Sequence, residues 1–181
     1  QGVSDIVRQW SDGAGLIGLA QFDETQQYRY RLTRAWGDTL LVEPVRSIAW
    51  LMLNPSTADE RVYDRTVAKC VKLSRRWGYS RVDVINLFAL RSTDPRALYT
   101  HPDPVGPGND AAIAQVASLA DLLICAWGTH GALKDRDREV VEILHDIGRP
   151  LHALRVNDGG SPAHPLYLPD ALTPQPYTPR A

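Results

Sequence analysis

Two hydrophobic periods take turns along this chain. Ile48-Ala49-Trp50-Leu51-Met52-Leu53 is a continuous apolar run of the kind that a strand covered on both faces requires. It stops abruptly on Asn54-Pro55-Ser56-Thr57-Ala58-Asp59. Pro55 cannot donate a ladder hydrogen bond and biases Asn54 towards an extended conformation. Ser56, Thr57 and Asp59 are all suitable N-cap residues, so backbone N–H groups and side-chain oxygens are expected to converge here. Val67, Val71, Ser74 and Trp77, with Cys70 beside them, then share one helical face, and Gly78 stands where a left-handed terminator belongs. Residues 82–88 return as an apolar strand with Asn86 near its carboxyl end. A second helical pattern runs through Ala111, Ile113, Val116, Ala117 and Ala120. A third strand at residues 122–126 ends on Trp127-Gly128-Thr129-His130-Gly131. Val140, Val141, Leu144 and Ile147 mark another helix closed by Gly148, and residues 151–154 supply a fourth strand.

This alternation predicts an α/β fold with three αβα layers around a central four-stranded, mostly parallel sheet. Residues 28–35 alternate apolar side chains with Arg29, Arg31 and Arg34. With Leu40-Leu41-Val42 beyond Trp36-Gly37-Asp38, they read as an N-terminal antiparallel β-hairpin whose arginines lie on a solvated face. Residues 1–27 read as a peripheral lead-in, residues 28–168 as one domain, and residues 169–181 as a proline-rich tail running over the surface. The segment at residues 91–108, rich in proline and glycine, is long enough to suggest a lid or binding loop.

Composition narrows the chemistry. At 181 residues the chain can bury one substantial core. No apolar run reaches membrane-spanning length and no secretory signal is recognisable, so a cytoplasmic protein without membrane partners is expected. The two cysteines, Cys70 and Cys125, fall inside apolar patterns as buried thiols do in a reducing compartment. Metal-ligand spacing is missing, so neither a metal nor another cofactor is expected. The net charge of −1 argues against a dedicated basic nucleic-acid coat and leaves a local basic face open.

In a parallel sheet, ligands bind beyond the strand carboxyl ends. That rule gathers residues 54–59, 86–90, 127–131 and 157–167 into one candidate site. Each candidate residue also has a plainer explanation. Asn54 offers an acceptor and two donors for a water or substrate, or simply holds a turn. Asn86, an amide in an apolar strand, costs about 1–3 kcal/mol if left unsatisfied, and either reads a nucleobase or amide edge or clamps backbone. His164, in Gly159-Gly160-Ser161-Pro162-Ala163-His164-Pro165-Leu166-Tyr167, either stabilises a developing anion or is a surface imidazole. Trp127 either stacks on a planar ligand or seals the core. Asp59 and Asp64 are the nearest carboxylates, and both also suit helix caps.

Met52-Leu53-Asn54-Pro55-Ser56-Thr57-Ala58-Asp59, Asn86-Leu87-Phe88-Ala89, Ala126-Trp127-Gly128 and His164-Pro165-Leu166-Tyr167 together resemble a bacterial family known mainly as a domain of unknown function, over about residues 28–168. In the same order they are similar to the motifs of the uracil-DNA glycosylase superfamily. There an Asn-Pro or Asp-Pro strand end positions water, an Asn-bearing strand reads the base, a Trp-Gly-type strand follows, and a late His-Pro loop enters the minor groove. Met52 stands where that superfamily usually has glycine, and the His164 loop is shorter than usual.

The resemblance implies a DNA glycosylase that flips a deaminated or modified base and hydrolyses its N-glycosidic bond, with DNA as partner and a function in repair or in defence against modified foreign DNA. It implies Asn54 for the water, with Asp59 or Asp64 assisting, and His164 for the base anion. Asn86 would read the base edge. Pro55, Ser56, Thr57, Phe88, Trp127 and Gly128 would complete the pocket, and Leu166 or Tyr167 would fill the vacated stack. Two rivals belong to other classes: a non-catalytic module binding a nucleotide or modified nucleic acid, and a hydrolase or transferase acting on free nucleosides or nucleotides.

Overall fold

A computed structural model describes residues 5–37 and 45–179. The chain runs through β1 (Ile6–Ser11), β2 (Ile17–Phe22), β3 (Arg29–Ala35), β4 (Ser47–Met52), α1 (Arg65–Arg76), β5 (Arg81–Asn86), the short α2 (Ala97–Thr100), α3 (Asn109–Leu119), β6 (Leu122–Cys125), a kinked 3₁₀ segment at Thr129–Asp135, α4 (Arg136–Asp146), β7 (His152–Ala153) and β8 (Gln175–Pro176). These strands form one eight-stranded mixed sheet in the order β1-β2-β3-β5-β4-β6-β7-β8.

The residues that form the sheet follow from their alternation. In β4, Ile48, Trp50 and Met52 face α1, whose Val67, Cys70 and Val71 cover them, while Ala49 and Leu51 face the other way onto Ile113, Val116, Val140 and Leu144 of α3 and α4. Both faces of β4 are therefore covered, as the continuous apolar run requires. Ser74 accepts a hydrogen bond from Trp50 Nε1 at 2.9 Å and passes one to the Cys70 carbonyl at 2.7 Å, so the indole nitrogen under α1 is satisfied. The glycine stops operate as expected: Gly78 and Gly148 have φ of +85° and +71° after α1 and α4. Cys70 and Cys125 are both buried and free, and burial pushes both thiols up.

Three expectations are corrected. First, the sheet is wider than four strands and carries more antiparallel than parallel pairings. β4 pairs in parallel with β5 and β6, and β6 with β7, but β1–β2, β2–β3, β3–β5 and β7–β8 are antiparallel. The stretch read as a lead-in supplies β1 and β2, whose short alternations around Gly13 and Gly15 gave no clear period. The predicted hairpin partner at residues 40–42 lies outside the described residues, and β3 instead pairs with β2 and β5.

Second, the tail contributes to the core. β8 pairs with β7, and the Tyr177 ring packs edge-on against Trp127 with centroids 6.1 Å apart. Asp170 is held by Lys69 at 2.7 Å and Lys72 at 2.6 Å, ion pairs that draw its carboxyl down to about 2.

Third, two arginines of β3 are buried. Arg34 shares the parity of Leu32 and donates to the carbonyls of Thr33 (3.0 Å), Asp59 (2.5 Å) and Val62 (3.1 Å), and its guanidinium stacks 4.6 Å from the Tyr63 ring centroid. Arg29 donates to the Ala58 carbonyl at 2.9 Å. Only Arg31 follows the expected pattern of a more open face, pairing with Asp83 at 3.1 Å. The reason is that the irregular 58–62 turn brings its carbonyls under the sheet, and donors long enough to reach them must come from β3.

Arg34→Leu keeps the volume but strands the Asp59 carbonyl and leaves Val62 O with only the Asp59 N–H, so a loss of about 3 kcal/mol is expected. Urea denaturation reads it as a lower midpoint at an unchanged slope.

Candidate functional site

The carboxyl ends of β4, β5 and β6 open onto one crevice of about 430 Å³, within the size range of small-molecule sites. Asn54, Pro55 and Ser56 reach it from the end of β4, Asn86 from β5, Trp127, Gly128, Thr129 and His130 from β6, and His164 and Leu166 from the late loop. Asp64 and Thr66 stand at the start of α1, and Ser92, Thr93 and Pro95 come from the long loop. Chain segments more than a hundred residues apart, from Asn54 to Leu166, thus meet in one concavity.

Asn54 is fixed by its amide nitrogen. Nδ2 donates towards the carbonyls of Pro55 (3.1 Å), Leu90 (3.4 Å) and Ser92 (3.0 Å), and Ser92 N returns a bond to the Pro55 carbonyl at 2.9 Å. Three acceptors around one end of the amide assign that end as nitrogen, leaving Oδ1 as the acceptor outside the clamp. Turn-holding and water-holding are therefore served by opposite ends of one side chain.

Asn86 is 1% exposed, and its Nδ2 has no hydrogen-bond partner among the described residues. Its main chain is held instead: Asn109 Nδ2 donates to the carbonyls of Asn86 (2.9 Å) and Leu87 (3.0 Å), and Arg136 Nε donates to Leu87 O at 2.8 Å. The backbone clamping that was one expectation for Asn86 is done by Asn109.

His164 Nδ1 accepts from Leu166 N at 3.2 Å, which leaves the neutral ring's proton on Nε2. Partial desolvation lowers the imidazole's pKa against the opposing field of Asp64, favouring the uncharged form. Asp64 is the N-cap of α1, its Oδ1 accepting from Val67 N at 2.8 Å, while its residue also lines the crevice.

Four of the expected site residues lie elsewhere. Asp59 is absent from the lining. Burial works against its ionisation, but Oδ1 accepts from Val62 N (2.7 Å) and Arg61 N (2.9 Å), which hold the carboxyl below its usual range. It is a turn cap. Thr57 is exposed outside the lining, and Phe88 is fully buried in the core that α3 and α4 cover. Tyr167 is 82% exposed beside the rim, with the Arg65 guanidinium 5.9 Å from its ring centroid.

The long 91–108 segment is packed rather than lid-like. Leu98 is buried, and Ala89 N and Leu90 N donate to the carbonyls of Val105 and Pro104. Only its beginning meets the crevice.

Residues 29–166 match the family model described as "Protein of unknown function (DUF1643)". That span is well over half of the chain. The chain belongs to this family. No curated protein and no solved structure matches it. The first and last residues of the DUF1643 match, Arg29 and Leu166, both line the crevice.

Arg29 is the charged lining residue that sequence reasoning missed. It is 2% exposed, and burial lowers its pKa to about 10, the nearby Asp64 carboxylate working in the opposite direction. Its spacing in the strand is that of Arg31, so alternation alone does not separate the two. Among the described residues, no cluster of histidine, cysteine, aspartate or glutamate suits a metal ion, and no helix is long and apolar enough to cross a membrane.

Two measurements probe this geometry. An NMR titration of His164 is expected to give a midpoint below 6.5. The unfolded chain then binds the proton more readily, so this residue makes stability rise with pH through that window and adds no slope above it. At Gly131 an added Cβ would lie 2.2 Å from Trp127 Cδ1. Gly131→Ala is therefore expected to cost roughly 1–3 kcal/mol in thermal melts and to shift the tryptophan emission.

Proposed function

We propose that this protein is a DNA glycosylase-like hydrolase, with a uracil-DNA glycosylase-like αβα arrangement around its parallel strands. It flips a deaminated or modified nucleotide into the crevice and hydrolyses the N-glycosidic bond. The observation that carries this reading is the pairing of two asparagines at adjacent strand ends. Asn54 has its donor end tied and its acceptor end spare, and Asn86 has an unpartnered buried amide nitrogen.

The chemistry asks for few strong acids or bases. As the C1′–N bond breaks, its electron pair leaves with the base and an oxocarbenium-like sugar develops. Asn54 Oδ1 accepts a hydrogen bond from the attacking water. Asp64 supplies negative charge facing the cationic sugar, and Asn86 holds the base by its edge. His164 donates from Nε2 to an oxygen of the departing base. Water oxygen forms the new bond to C1′, and the proton it loses ends on the released base. Trp127 and Gly128 wall the pocket. Leu166, with Tyr167 exposed beside Arg65, provides apolar and aromatic surface at the mouth for the stack that the flipped nucleotide vacates.

The second reading, a hydrolase or transferase on free nucleosides, is favoured by the near-neutral chain charge and by a crevice of nucleoside size. Salt separates the two. Duplex substrates should lose affinity steeply as salt rises, whereas a neutral nucleoside should not.

An excision assay on duplexes carrying uracil, other deaminated bases and bulky modified pyrimidines is expected to release base from at least one. Asn54→Ala should slow that release about a hundredfold while duplex binding persists. No released base from any duplex, with free nucleosides cleaved instead, would transfer the assignment to the second reading.

A further inference from the structure

We propose that Arg29 is a ligand-binding residue: the buried cation of the crevice, which receives the negative charge of a bound anionic base. This rests on the glycosylase reading for the identity of the anion and on the crevice itself for the site.

Arg29 reaches the crevice from β3, the antiparallel side of the sheet. One of its nitrogens is engaged, Nη1 donating to Ala58 O, whereas Nε is buried without a partner among the described residues. None of its neighbours neutralises it by contact. Asp64 and Asp59 act on it only through space, with Arg34 and Arg91 opposing them, and no carboxylate of the described residues forms an ion pair with it. A guanidinium without an ion-pair partner, lining a cavity beside an amide with an unpartnered nitrogen, is arranged for an anionic ligand with a polar edge. Its pKa of about 10 keeps it charged at neutral pH, while His164 is driven towards the neutral form.

The division between these two groups has a chemical consequence. A neutral imidazole can donate a hydrogen bond to a base oxygen, but it carries no net charge with which to hold the departed anion. When the C1′–N bond breaks, its electron pair spreads over the ring and exocyclic oxygens of the base. The fixed positive charge of Arg29 stabilises that distribution without a proton transfer.

The test compares binding of free uracil and of 5-fluorouracil, whose fluorine makes the ring more acidic. The charged groups that act on Arg29 are Asp64, Asp59, Arg34 and Arg91, and Arg29 itself, with a pKa of about 10, keeps most of its charge between about pH 7 and about pH 9. His164 is neutral there, and the main change is therefore in the ligand. Calorimetry is expected to show affinity for 5-fluorouracil rising severalfold relative to uracil across this range in the wild type. The rise should be lost in Arg29→Gln and partly kept in Arg29→Lys. A rise of equal size in Arg29→Gln, or none in the wild type, overturns the proposal.

Because Arg29 also ties the Ala58 carbonyl, Arg29→Gln is first checked by thermal melting. If it does not fold, the Nε–H resonance of wild-type Arg29 decides: a shift on adding 5-fluorouracil at the higher pH supports the site, and an unmoved resonance overturns it. The two readings fail separately. An anion effect without excision from any duplex leaves the Arg29 site standing and removes the glycosylase assignment. Undiminished excision by a folded Arg29→Gln does the reverse.

Discussion

Irregular backbone at the end of a buried strand carries carbonyls that the sheet no longer pairs, and burial makes each one costly unless a donor reaches it. Between β4 and α1 side chains share that burden with the Ser92 and Asp59 backbone N–H groups. Asn54 serves Pro55, Leu90 and Ser92; Arg29 serves Ala58; Arg34 serves Asp59 and Val62. These bonds give the turn a single conformation, and with it the position of Asp64 at the head of α1. Gly18 belongs to the same constraint: a Cβ there would lie 1.9 Å from the Glu60 carbonyl, so β2 admits the turn only because that position has no side chain. The crevice is shaped by how this backbone is satisfied.

Support and recognition are assigned to different residues. Asn109 and Arg136 hold the main chain at the end of β5 through the Asn86 and Leu87 carbonyls, and Arg136 is itself anchored by Asp110 at 2.6 Å and Glu139 at 3.2 Å. Relieved of structural work, the Asn86 side chain keeps an unpartnered nitrogen. A buried donor in that state costs on the order of 1–3 kcal/mol, and because Asn86 lines the crevice a ligand acceptor can recover that cost. The rigid frame around it is what makes such a group useful, because a ligand then meets a donor already in position.

What could be read from the sequence follows the range of the physics involved. The strands at 48–53, 82–88 and 122–126 and the helices around Val67, Ile113 and Val140 were legible because periodicity and glycine stops are local signals. The convergence of Asn54, Asn86, Trp127 and His164 was legible because the ends of parallel strands collect loops. Phe88 and Asp59 were misplaced because a motif names a stretch, not the direction in which each side chain points. Arg29 and Tyr177 were missed because their roles depend on partners elsewhere in the chain: a carbonyl at residue 58 for one and the Trp127 ring for the other. Arg34 did leave a trace, since it occupies the apolar parity of its strand.

The family match gives these contacts a boundary. It runs from Arg29 to Leu166, so β1, β2 and β8 fall outside it, while every side chain lining the crevice falls within. The flanking strands add backing to a site that is complete without them: β2 extends the antiparallel edge beside β3, and the Tyr177 ring supports Trp127 from behind. That backing bears on both walls of the crevice, because β3 carries Arg29 and Trp127 follows β6. Antiparallel strands at the two edges of the sheet thus brace a pocket built at the ends of parallel ones, and the mixed sense of the sheet becomes part of how the site is held.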